Sequence, residues 1–160
     1  MLVMDGNSRY TTKNGLRYKI EPWKHQIPGT EYLYNHNAAG LFTDMGTGKT
    51  KMTIDAIINR GFKVVLIICT TAGAKNVWPK EILTHSYTEP EDVVQLCEVP
   101  TRKKVLLVQK ALERAKQTNN QRILWFLVMY VMKAIRLNLP AANAVSFWPR
   151  LAKRFLSDGL

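Results

Sequence analysis

The sequence predicts an α/β fold with a central parallel sheet, on three observations. A glycine-rich segment, "TDMGTGKT" (residues 43–50), follows the apolar Leu41 and Phe42. After it come Met52, Ile54, Ala56, Ile57 and Ile58, spaced for the inner face of an amphipathic helix. "FKVVLIIC", Phe62–Cys69, is then too short for a helix and almost uniformly apolar, as a strand buried on both faces should be. Strand, loop, helix and strand in that order make the βαβ unit of a parallel sheet.

The remaining elements are read in chain order. In "RYTTKNGLRYKI", β-favouring residues flank Asn14-Gly15, a strong short-range hairpin signal, and Pro22 ends the hairpin. "EPWKHQIPGTEYLYNH" reads as a short loop and a helix, with Tyr32 and Leu33 as packing residues. Gly40–Phe42 form the strand entering the glycine-rich loop. Beyond Cys69, "NVWPKEILTHS" puts a tryptophan and a helix start where α/β proteins place ligand-handling loops. "EPEDVVQLCEVP" gives an acidic loop and a short strand, Val93–Cys97. "TRKKVLLVQKALERAKQTNNQR" is a basic helix: Val105, Leu106, Val108, Ala111, Leu112 and Ala115 face inward, and Lys103, Lys104, Lys110, Arg114 and Lys116 face solvent.

Composition narrows the function classes. A chain of 160 residues, 46% hydrophobic, is one domain by size and apolar enough for a core. Its 23 lysines and arginines against 12 acids give a net charge of +11, which suits a polyanionic partner such as nucleic acid and equally suits plain solubility. Cys69 and Cys97 have no metal-ligand spacing and make no disulfide framework, so a reducing cytoplasm is expected. The longest apolar run, Ile123 to Met132, is half the roughly 20 residues that a membrane-spanning helix needs, so no membrane partner is expected. His25, His36 and His85 show no ligand spacing.

The glycine-rich loop carries the chemistry. Glycines let backbone N–H groups approach phosphate oxygens, and the following helix turns its positive dipole end toward the same anion. Gly46, Thr47 and Gly48 would supply amides, Lys49 would reach the β- and γ-phosphates as a point charge, and Thr50 would offer its hydroxyl to Mg²⁺. The general pattern begins with glycine, and here that position is Thr43.

These residues, with two flanking motifs, resemble the first motor half of a superfamily-two helicase, specifically the Swi/Snf-type helicase-like ATPases and their phage members. "EPWKHQ" is similar to the family's upstream glutamine motif, "TDMGTGKT" to its Walker A loop, and "VVLIICTTAGAKNVWPKEI" to its motif Ia; together they cover about Ile20 to Ile82 in family order. The resemblance implies a RecA-like P-loop domain that binds ATP and Mg²⁺ and acts on nucleic acid, DNA above all, in the cytoplasm, or the host cytoplasm for a phage protein. It assigns Gln26 to adenine, a contact a carboxamide can make in bidentate fashion. It also assigns Gly46, Gly48, Lys49 and Thr50 to the phosphates and metal, and Lys75 and Asn76 to the nucleic-acid backbone. Trp78 reads as a core anchor and Trp23 as a packing residue. Thr70 stands where the family has proline. On this reading residues 1–30 hold the hairpin and glutamine motif, and 31–122 the first half of the ATP-binding domain. Residues 123–160 form an anomalous tail.

The tail is anomalous because hydrolysis in this family uses an Asp-Glu-x-His motif at the end of a later apolar strand. After Glu113 the chain has one acid, Asp158, so no catalytic acid is identified and the chain alone is expected to be inactive as an ATPase. The second RecA-like domain that the resemblance implies has no counterpart here. Codons for Val131–Ile135 read two bases along force a glutamate followed by glycine or serine, and permit aspartate before and histidine after. A frameshift or deletion near Asn119 to Trp125 is therefore expected, the alternative being that Ile123–Met132 is a native buried strand or helix. Two further readings stay open: another P-loop enzyme such as a small nucleotide kinase, and a non-enzymatic basic nucleic-acid-binding protein.

Overall fold

A computed structural model describes residues 2–4, 9–117 and 123–129, all within one compact unit, Met1–Met129. Beyond Met129 the expected anomalous tail lies outside the described residues. In chain order the elements are β1 (Val3–Met4), β2 (Tyr10–Thr11), β3 (Arg17–Tyr18), α1 (Gln26–Asn35), α2 (Lys49–Arg60) and β4 (Val64–Cys69). A π-helical segment (Gly73–Val77), α3 (Trp78–His85), a 3₁₀ turn (Pro90–Asp92), β5 (Val93–Gln95), α4 (Thr101–Gln117) and β6 (Leu124–Met129) follow.

The predicted hairpin forms around Asn14-Gly15. Strands β2 and β3 pair antiparallel, Tyr10 opposite Tyr18, and Thr12 N–H donates to the Leu16 carbonyl at 2.9 Å across the turn; β1 adds a third short strand. Asn59 of α2 fixes this sheet to the rest of the unit. Its side-chain amide donates to the Arg17 carbonyl at 2.8 Å, and its Oδ1 accepts from Arg17 N–H at 2.8 Å, as a neighbouring strand would.

The second sheet is parallel, in the order β4-β6-β5, with Val64 opposite Leu124 and Val93 opposite Trp125. β6, on the segment the sequence reading assigned to the tail, is its central strand. Leu124, Trp125, Phe126 and Leu127 are all buried, and the Trp125 indole N–H donates to the Thr88 hydroxyl at 3.0 Å. One sheet face carries Val65, Ile67, Trp125 and Leu127 against Ile54 of α2 and Ile82 of α3; the other carries Val94, Leu124 and Phe126 against Ala111 of α4.

Four expectations are corrected. Gly40–Phe42 do not form a strand: Phe42 projects 97% exposed with its ring turned back over Gly40. β4 is not buried on both faces. Val64, Leu66 and Ile68 are each about half exposed, because β4 is an edge strand and the helix on that face, α4, packs over β5 and β6. On α4, Val105 and Leu106 are exposed, while Val108, Ala111 and Leu112 pack inward and Arg114 is half-buried against Glu91. The inner stripe is therefore shorter than the apolar pattern. Tyr32 is likewise exposed, its ring 4.5 Å from that of His36, and α1 buries Gln26 and Thr30. Among the described residues no helix is long and apolar enough to cross a membrane.

Candidate functional site

The glycine-rich loop leads directly into α2, whose first residue is Lys49. Gly46 and Gly48 sit at φ 79° and φ 80°, in the left-handed region that side chains disfavour, so glycine at both positions is what lets the chain turn twice before the helix. Gly48 caps α2 without any side-chain hydrogen bond, and the first helical bond runs from Met52 N–H to the Gly48 carbonyl at 3.1 Å. The leading amides of α2 have no intrahelical acceptor and point out of its N-terminus.

Lys49 folds back along the loop. Its ammonium donates to the carbonyls of Thr43 at 2.8 Å and Asp44 at 2.7 Å, so the cation sits inside the ring of backbone that it closes. The Thr47 hydroxyl donates to the Asp44 carbonyl at 2.9 Å, which uses its one proton. The 2.8 Å contact between the Thr43 and Thr47 hydroxyls is therefore donated by Thr43. Thr43, the departure from the usual glycine, ties the loop to itself. Amides at a helix N-terminus, a cation among carbonyls and the half-buried Thr50 make a donor set suited to a polyphosphate. For a divalent ion this set offers the Thr50 hydroxyl, and among the described residues no group of three His, Cys, Asp or Glu side chains could hold a metal.

Helix α1 supports the loop from beneath. Gln26 is buried, 4% exposed, and both ends of its carboxamide are engaged: Oε1 accepts from Trp23 N–H at 3.1 Å, and Nε2 donates to the Thr47 carbonyl at 3.3 Å. A Cβ on Gly48 would stand 2.3 Å from that same Nε2, so the close approach of α1 is a second reason for glycine there. His25 Nε2 also lies 3.0 Å from the Thr47 carbonyl. A carbonyl only accepts, so Nε2 carries the proton. Trp23 is not a packing residue: it is 64% exposed, its ring 5.6 Å from the His25 ring.

Beneath the first turns of α2, Lys51 and Asp55 form a buried ion pair at 2.6 Å, side chains 8% and 1% exposed, with the ammonium 5.3 Å from the centre of the Tyr18 ring. Burial outweighs the attraction of Lys51 and lifts the Asp55 carboxyl to about 6; burial also pushes the Tyr18 phenol up to about 12. Sequence reasoning assigned neither Lys51 nor Asp55, although their i,i+4 spacing is the signal of a helical ion pair. It left His25 without a role as well, and no spacing would have supplied one.

Lys75 and Asn76 lie on the π-helical segment after β4, both exposed, and Lys75 pairs with Glu98, whose own φ is 58°. Trp78 packs against the core cluster of α2, β4 and β6, as an anchor should. The structure thus joins Gln26, Thr47, Gly48 and Lys49 in one site, while no contact links Lys75 or Asn76 to it among those described. Comparison with protein-family models, with curated proteins and with solved structures finds no match to this chain.

Proposed function

We propose that the loop of residues 43–50 binds a nucleoside triphosphate with Mg²⁺, and that the chain is the N-terminal part of a helicase-like ATPase acting on nucleic acid, DNA being the expected partner. One observation carries the reading. Two left-handed glycines deliver the chain to the N-terminus of a 12-residue helix whose first side chain, Lys49, is held by carbonyls of the same loop. An ordinary turn needs neither the second glycine nor the returning lysine. ATP is the nucleotide that the resemblance implies.

On this reading the amides of Gly46 to Thr50 hold phosphate oxygens, Lys49 exchanges a carbonyl for the β- and γ-phosphates, and Thr50 gives one oxygen to the metal. Bound Mg²⁺ neutralises phosphate charge in this class of site. The parallel order β4-β6-β5 is compatible with the α/β class in which such loops occur.

The test is binding of a labelled, non-hydrolysable ATP analogue by the full chain and by Lys49→Ala. Saturable, Mg²⁺-dependent binding that falls at least tenfold in the variant supports the proposal. Equal binding by both proteins, or none by either, rejects it.

A further inference from the structure

We infer that the chain forms a two-fold dimer in which β4 pairs with β4 of a second copy, antiparallel about Leu66, so that two parallel sheets join into one. The pairing does not depend on the phosphate loop. β6 bonds one side of β4, and among the described residues no strand occupies the other edge. One hydrogen bond fixes which backbone groups face that edge. Leu124 N–H donates to the Lys63 carbonyl at 2.9 Å, so Lys63, Val65, Ile67 and Cys69 turn their backbone groups toward β6, and Val64, Leu66 and Ile68 turn theirs outward. No hydrogen bond of the described residues reaches the outward groups. The same three residues carry the side chains left half exposed, at 47%, 48% and 47%. Six apolar residues in a row give this edge none of the charges, prolines or bulges that ordinarily keep an open strand from pairing.

The pattern of this edge is its own complement, which makes a second copy the occupant. Pairing about Leu66 sets Leu66 opposite Leu66 and Val64 opposite Ile68, and each such pair exchanges both of its bonds, about six in all. Every outward-facing residue of β4 is then used. The register also lays both sets of half-exposed side chains on one face of the joined sheet, the face on which α4 packs over β5 and β6 and leaves β4 bare. Aliphatic surface therefore meets aliphatic surface across the two-fold axis. Charge does not oppose the contact. Lys63 stands opposite Cys69 in this register, so the two copies of Lys63 lie roughly 20 Å apart at about 3.3 Å per residue, beyond the ~8 Å screening length of physiological salt. The far edge of the sheet offers nothing comparable: β5 is three residues long and follows the Pro90–Asp92 turn, so pairing through β4 stops at two chains.

Sedimentation velocity of the full chain tests this, at high salt, which strips any nucleic acid bridging two basic chains. Concentrations run up to about 300 µM, because an interface of one strand pair belongs to the small, weak class. A species of twice the 18.3 kDa chain mass is expected to grow in with concentration. Leu66→Lys sets two ammonium groups against each other at the axis and should abolish it, whereas Leu106→Lys, at an exposed leucine of α4, should leave it unchanged. Leu66→Cys gives an answer even where the lysine variant fails to fold. Its two thiols, on α-carbons about 5.5 Å apart, should be joined by oxidised glutathione, each new disulfide releasing two reduced glutathiones, and Leu106→Cys should stay unlinked. A chain that remains monomeric throughout, a dimer indifferent to a folded Leu66→Lys, growth into longer polymers, or a Leu66→Cys chain that links no faster than Leu106→Cys overturns the inference.

Discussion

The buried pair Lys51–Asp55 offers the sharpest test of how α2 is held. Replacing Asp55 by leucine strips the counter-charge from an ammonium whose side chain is 8% exposed. At the surface such a pair would contribute about 0–1 kcal/mol. Here both partners are desolvated, and breaking a buried pair costs about 3–5 kcal/mol because the orphaned charge stays in the low-dielectric interior. The Tyr18 ring, 5.3 Å from the ammonium, offsets roughly 1 kcal/mol of that, so Asp55→Leu should cost about 3 kcal/mol, a large share of the ~5–15 kcal/mol of a typical domain. Lys51→Met should cost less at pH 5 than at pH 8, because Asp55 can then take a proton and become neutral. The double variant Lys51→Met, Asp55→Leu removes both charges and should regain most of the stability. Urea unfolding followed by circular dichroism gives the three free energies. The reasoning fails if Asp55→Leu costs under about 1 kcal/mol, or if the double variant costs the sum of the singles.

The pH dependence of the same pair has a definite sign. The Asp55 carboxyl is raised from 3.8 to about 6, so between those values the folded state binds more protons than the unfolded chain. Its contribution to stability is therefore present at low pH, is lost as pH rises through that window, and is level above it. His85 acts in the opposite sense. Burial and the nearby Lys51 and Lys19 lower its pKa from 6.5, against the pull of Glu81, so it destabilises the fold as pH falls. Comparing the parent with the double variant reports the loss of the pair together with the release of His85 from Lys51, while Glu81, Lys19, Tyr18 and Glu31 remain.

Two further outcomes are expected. Gly48→Ala places a Cβ 2.3 Å from Gln26 Nε2 at a φ of 80°, and should cost about 1–3 kcal/mol in urea unfolding while weakening ATP-analogue binding; an unchanged midpoint would mean that α1 does not pack on the loop. The reading-frame idea also makes a prediction that sequencing the gene decides. A shift near Asn119–Trp125 is expected to show as an Asp-Glu motif in the alternative frame opposite Val131–Ile135. A shifted frame lacking the acidic motif would refute the shift altogether.

Features whose causes lie within a few residues were legible in the sequence. The Asn14-Gly15 hairpin, α2 and the left-handed turns at Gly46 and Gly48 each follow from local backbone preferences. What was not legible depends on what covers what. The apolar string Val64–Cys69 says that a strand can be buried on both faces, yet Val64, Leu66 and Ile68 stay half exposed because α4 packs elsewhere. Lys51 and Asp55 are polar by composition and buried by position, since the hairpin brings Tyr18 over them and Asn59 fastens it there.

Gln26 shows what a motif leaves open: one lone pair and one N–H of its carboxamide serve Trp23 and Thr47, and one of each remains. A sequence motif reports that a carboxamide recurs near a phosphate loop, and says nothing of which of its hydrogen-bonding positions remain for a ligand. In this chain the loop is restrained by its own threonines, by Lys49 and by α1 through Gln26 and His25. A loop fixed by that many internal bonds loses little conformational freedom when an anion arrives, so its affinity depends chiefly on exchanging the Lys49 carbonyl contacts for phosphate oxygens. Substitutions at Gln26 that weaken tripolyphosphate and nucleotide alike would mark a residue that shapes the loop, whereas substitutions that weaken only the nucleotide would mark one that touches the base.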